Sequence, residues 1–153
     1  MKRKKVYISG AMTAATPQEF QQNVQHFHDA ALLLKAQGYK PINPACVLAC
    51  RFSCLYRLLE HLLGREGAYR LVLVYDLWLL SRCDHLCLID NWLGSRGAKI
   101  EENFAYRLGI TKTHDYHPAD KKLTAITKRK QKSPYAITVN EFKKLGTAIK
   151  KIG

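Results

Sequence analysis

The chain has 153 residues, 47% of them apolar, and no run approaching the ~20 residues that cross a bilayer, which reads as one domain with its own core and excludes a membrane span. Its net charge of +13 suggests a nucleic-acid binder until the charge is located: residues 1–5 carry four basic groups, residues 112–153 eleven basic and three acidic, and residues 6–111 ten basic and nine acidic. A nearly neutral body excludes a basic groove built into the fold and leaves the excess in the two ends, as solvated chain or as a tail that touches nucleic acid weakly through phosphates.

The first element is "KKVYISG", which alternates weakly and ends in glycine, a strand followed by a turn. The start of the chain has a basic cluster, but its apolar run is too short for a secretory signal. From Thr16 to Gly38 the chain reads as a helix with both ends signed: Thr16 as cap, Pro17 in the first turn, Glu19 three residues after the cap, and Gly38 as the stop. Phe20, Val24, Phe27, Ala31 and Leu34 follow helical spacing and form its core face. "YKPIN" is a short strand ended by Pro44. Residues 45–64 have helical period with Gly64 as the stop, and residues 66–82 form another helix. "HLCLID" is a buried strand, "SRGAKIEENFAYRLG" a helix closed by Gly109, and "ITKTHDY" a fourth strand. Residues 1–116 make the domain. Residues 117–136, with two prolines and "KRKQKSP", read as a linker. Residues 137–153 form a basic tail in which 138–151 make a short amphipathic helix with Val139, Phe142, Leu145 and Ile149 on one side.

Strands alternating with helices predict an α/β fold, a three-layer α/β/α sandwich around a Rossmann-like or flavodoxin-like parallel sheet. Ligands in such folds bind outside the carboxyl ends of the strands. The groups expected there are Ser9, Gly10 and Met12 after the first strand, Asn43 and Pro44 after the second, and Asp90, Asn91 and Trp92 after the third. Trp92 suits stacking on a base and suits a core or interface equally. Gly94, Ser95 and Gly97 form the turn into the next helix, where glycine lets backbone approach a ligand and the helix start favours anions. Glu101 and Glu102 follow one turn later. Both favour the helix dipole, but neighbours on a helix point about 100° apart, so one faces the sheet and the other solvent. Asp76 stands alone in "LVLVYDLWLL". A buried, unpaired carboxyl keeps its proton, so Asp76 is a structural hydrogen-bonding group or a working acid.

Five cysteines are an odd number. Cys46, Cys50 and Cys54 recur every four residues, and Cys83 and Cys87 flank a strand. They read as buried thiols of a reducing cytoplasm, and the spacing fits no common zinc pattern.

Four pieces carry a family resemblance: "VYISGAM", "AALLLKAQGYKPINPA", "YDLWLLSRCDHLCLI" and "WLGSRGAKIEENFAYRLG". In this order and spacing the chain resembles the nucleoside 2-deoxyribosyltransferase superfamily, which includes 2'-deoxynucleoside 5'-monophosphate N-glycosidases. Within it the chain is most similar to an uncharacterised branch, the domain of unknown function 4406, often carried by phages. The resemblance implies a nucleophile at Glu101, an acid serving the leaving base at Asp76, and an orienting phenol at Tyr7. Two carboxyls about 5 Å apart, one ionised and one protonated, are what a retaining glycosyl transfer needs. The branch has Gly-Trp-Glu after the third strand where this chain has Asn91, Trp92 and Leu93, with Asp90 before them to approach the sugar hydroxyls. The implied activity is cleavage or transfer at the N-glycosidic bond of a nucleoside or nucleotide, with no cofactor and no metal. Homo-oligomers are implied too, and the apolar "ACVLACRFSCLYRLLEHLL" is the expected contact. Two alternatives stand beside this: a nucleotide-binding module without catalysis whose basic tail reaches nucleic acid or a partner, and the same chemistry on an ADP-ribose-type signal.

Overall fold

The computed structural model describes residues 3–12, 14–46, 53–110 and 113–126. A five-stranded sheet forms the middle layer. Strands β1 (Lys5–Ser9), β2 (Lys40–Ile42), β3 (His85–Ile89) and β4 (Thr113–His117) run parallel, and β5 (Lys122–Ile126) returns antiparallel along β4. The strand order is β2-β1-β3-β4-β5. The chain steps from β1 to one side and then crosses back to the other. That reversal opens a crevice at the carboxyl ends of β1 and β3, where open α/β sheets bind their ligands.

The sheet is covered on both faces, as an apolar parallel sheet requires. On one face Val6, Ile8, Cys87, Ile89 and Tyr116 meet Phe27, Ala30 and Leu34 of helix α1 (Pro17–Ala36). On the other, Tyr7, Leu86 and Leu88 meet Leu80 of α2 (Ser53–Ser81) and Ala105 of α3 (Arg96–Arg107). The expected three-layer α/β sandwich is therefore the observed one. Alternation along β1 sends Tyr7 and Ser9 to the α2/α3 side and Val6 and Ile8 to the α1 side.

α1 starts with the expected capping box. Thr16 Oγ1 accepts from Glu19 N at 3.2 Å while Glu19 Oε2 accepts from Thr16 N at 3.4 Å, an arrangement worth about 1 kcal/mol. Burial deepens along the helix, from exposed Phe20 through half-buried Val24 to buried Phe27 and Leu34. The first turn thus reaches past the sheet, and Phe20, expected in the core face, lies outside it. In α2, Gly64 takes φ 71° and ψ 169°, which breaks the helix into two segments at the expected stop. The second segment turns Ala68, Asp76 and Leu80 inward and leaves Leu71, Val74 and Trp78 exposed.

Residues 117–126, the first part of the expected linker, are not plain linker. A turn through Lys121, at φ 46°, leads into β5, which pairs with β4 from His117↔Lys122 to Thr113↔Ile126. Leu123 packs on the α1-side core while its neighbours Lys122 and Thr124 are exposed, so β5 is a polar, antiparallel edge strand. The sheet therefore continues past residue 116, where the domain was expected to end. The basic tail from residue 127 onward, the helix expected at 138–151 and Cys50 lie outside the described residues.

Candidate active site

Three elements converge under the β1/β3 crevice. β1 presents two hydroxyls from alternate positions, Tyr7 and Ser9, both fully buried. α3 begins at Ser95, whose side chain accepts from Ala98 N at 3.2 Å, and this cap sets the helix so that Glu101 lies over β1. Tyr7 Oη donates to Glu101 Oε1 at 2.8 Å, and Ser9 Oγ donates to Glu101 Oε2 at 2.5 Å. Both oxygens of the buried carboxyl are held by neutral donors, and no cation pairs with it among the described residues. Its neighbour Glu102 is only half-buried, so the two glutamates diverge as helix geometry requires.

Asp76 arrives from α2 and is 8% exposed. It is buried because it falls on the inward stripe with Ala68 and Leu80. Among the described residues no group donates a hydrogen bond to it. Burial and then the charge of Glu101 push its carboxyl up to about 8. Burial pushes Glu101 up to about 7, while the Ser9 and Tyr7 hydrogen bonds pull the other way by stabilising the anion. The two acids thus part company: Glu101, with two donors, ionises first, and its charge helps hold the proton on Asp76. Tyr7 is raised well above a phenol's ordinary value, by burial first and then by the charge of Glu101, so it remains a donor throughout.

The model of the family described as "Domain of unknown function (DUF4406)" matches residues 4–113. The chain belongs to that family. The matched span of this DUF4406 chain contains Tyr7, Ser9, Asp76 and Glu101 and ends at the first residue of β4. No curated protein and no solved structure matches it.

The remaining candidate residues of the DUF4406 chain take distinct places. Gly10 is buried where a Cβ would lie 3.0 Å from Ile89 Cβ, so a side chain there would press on Ile89. Met12 packs on the α1-side core. Asn43 is spent locally: Oδ1 accepts from Ala45 N at 2.9 Å and Nδ2 donates to Cys46 Sγ at 3.5 Å. Asp90 is exposed in the 3₁₀ turn Asp90–Gly94 and pairs with His117 at 3.5 Å, toward β4. Trp92 packs, partly buried, against the core under α2 and α3. Gly97 lies beside Tyr69, whose hydroxyl would be 3.4 Å from a Cβ at that position.

Asn91 was expected at the carboxyl end of β3 and lies there; Tyr69 was not singled out from sequence. Asn91 ties the crevice rim together, accepting from Ala11 N at 3.4 Å and donating to Asn23 Oδ1 at 3.3 Å. Tyr69 projects beside the start of α3. Its spacing of seven from Asp76, two helical turns, was the available signal. Chemically, the DUF4406 site offers one carboxyl oriented by two hydroxyls and a second buried acid that holds its proton more strongly.

Proposed function

We propose that this chain cleaves or transfers the N-glycosidic bond of a nucleoside or nucleotide, as members of the nucleoside 2-deoxyribosyltransferase superfamily do. The observation that supports this most is the contrast between the two acids: Glu101 gripped by two hydroxyls, Asp76 buried without a donor. In the first half-reaction a Glu101 oxygen attacks the anomeric carbon, the bond to the base nitrogen breaks, and the base leaves with the proton of Asp76. The glycosyl–Glu101 ester is then opened by water or a second base, whose proton passes to the Asp76 carboxylate. Tyr7 and Ser9 hold the attacking carboxylate in one orientation and limit its motion between the two steps.

Substrate choice within this reading, including the 2'-deoxy preference and the phosphate, belongs to the crevice walls. The test is incubation of the full chain with 2'-deoxynucleosides, ribonucleosides, their 5'-monophosphates and NAD-like compounds, with free base measured by chromatography. Release of base from one class supports the reading; binding without release from any of them favours a nucleotide-binding module. The exposed stripe of Leu71, Val74 and Trp78 on α2 supports assembly with a second copy of the chain.

A further inference from the structure

Tyr69 holds a polar group that the proposed chemistry leaves unused. Its hydroxyl oxygen is buried and has no hydrogen-bond partner among the described residues. A buried donor left unmade destabilises a fold, and such a group ordinarily finds a partner in protein, water or ligand. Residues of α2 and α3 border the ring. Arg96, in the first turn of α3, lies over it with Cζ 5.8 Å from the ring centroid. Arg96 Nη1 is itself drawn to Glu66 Oε1 at 3.7 Å, which ties α3 back to α2 across the phenol. Gly97 borders the hydroxyl, which would lie 3.4 Å from a Cβ at that position, in ordinary contact.

The hydroxyl also stands within the influence of the reacting pair. Burial raises the phenol's pKa, and the charges of Glu101 and Asp76 add to that rise against an opposing pull from Arg96. The group is therefore an uncharged donor at the wall of the same crevice, on the face of α2 that carries Asp76.

We propose that the Tyr69 hydroxyl is a substrate-recognition donor, giving its hydrogen bond to an acceptor atom of the nucleoside or nucleotide seated between α2 and the start of α3. This deepens the glycosidic reading and rests on it. The shared chemistry is a hydrogen-bond acceptor, which a base nitrogen or carbonyl and a phosphate oxygen both supply.

The experiment uses Tyr69→Phe, which removes the hydroxyl and keeps the ring. Without ligand, the variant should unfold at the same temperature as wild type or higher, because no protein partner is lost. Binding of 2'-deoxynucleosides and of their 5'-monophosphates is then measured by calorimetry in the Glu101→Gln background, with and without Tyr69→Phe. The expected loss of affinity is about threefold to tenfold, the loss of one ordinary hydrogen bond. In the cleaving enzyme that loss should fall on KM more than on kcat. A loss shared by nucleosides and monophosphates assigns the acceptor to base or sugar; a loss confined to monophosphates assigns it to phosphate. Equal affinities with and without the hydroxyl, or a lowered unfolding temperature of the ligand-free variant, would overturn the proposal. Because binding is read in a background that cannot cleave, a failure of the catalytic reading leaves this result legible.

Discussion

Tyr7 and Glu101 lie 94 positions apart in the chain, and the phenol of one donates to the carboxylate of the other at 2.8 Å. Ser9 takes the second oxygen of the same carboxylate. One strand residue orients the acid and the next on that face completes the grip, which leaves Asp76 as the acid without a donor. That asymmetry makes different forecasts for neighbouring residues.

Glu101→Gln should abolish base release, whereas Glu102→Gln should keep most of it, since Glu102 shares neither the hydroxyl pair nor the burial of Glu101. Steady-state rates with a cleaved nucleotide measure this. Equal losses in the two variants, or a sugar adduct trapped on another residue, would remove Glu101 from its role.

The pH profile of kcat/KM should be a narrow bell. Rate rises as Glu101 loses its proton near 7 and falls as Asp76 loses its proton near 8, so the maximum lies between. Asp76→Asn should remove the falling limb and lower the rate by about 10²–10⁴-fold, most for poor leaving bases. A flat profile across this range contradicts the assignment of the pair.

Asp76 also makes a stability forecast with a definite sign. Its folded pKa, about 8, stands above the ordinary 3.8, so the folded state keeps a proton that the unfolded chain gives up. The stability this contributes is full below pH ~4 and is lost as pH rises toward 8. Asp76→Asn has no such proton to lose. Its thermal midpoint relative to wild type should therefore climb between pH 4 and pH 8; a constant difference would mean that Asp76 is not a protonated buried acid.

A pair of histidines lies at the opposite end of the strands. His85 Nδ1 and His114 Nε2 are 3.2 Å apart, with the Tyr39 ring against both imidazoles. Burial, and then the charge of His85, lowers the pKa of His114. The sign is opposite to that of Asp76: the contribution is present above the unfolded value near ~6.5 and is lost as pH falls through the folded one. Thermal melts from pH 7 to pH 5 should show wild type losing stability more steeply than His114→Gln, which cannot be protonated.

The exposed α2 stripe predicts self-association. Val74 and Trp78 are 63% and 50% exposed, one turn apart on the same face, and Tyr75 stacks on Trp78 at 5.8 Å. Light scattering should find wild type heavier than one chain and Val74→Glu closer to one. A monomeric wild type at tens of micromolar ends this idea.

Sequence alone determined the frame of this protein. Thr16, Glu19 and Gly38 bound α1, Gly64 breaks α2, Ser95 and Gly109 bound α3, and the apolar runs around Val6 and Leu86 mark buried strands, because caps, glycine conformations and hydrophobic periods act over a few residues. The resemblance carried by four motifs in register implied Glu101, Asp76 and Tyr7 as a set, while the residues by themselves left Asp76 open between a structural and a working acid. Tertiary structure decided the rest. "LVLVYDLWLL" is apolar all round, so its period does not say which side faces the sheet; packing against β1 and α3 turned Asp76 inward and Val74 and Trp78 outward. β5 was illegible because "KLTAI" is short and lysine-bearing, and only the exposed edge of β4 gives it a partner. The difference between Glu101 and Asp76 was likewise out of local reach, since the hydroxyls that stabilise one carboxylate come from residues 92 and 94 positions away. A carboxyl's chemistry is set by its burial and its donors, and in this chain long-range contact supplies both.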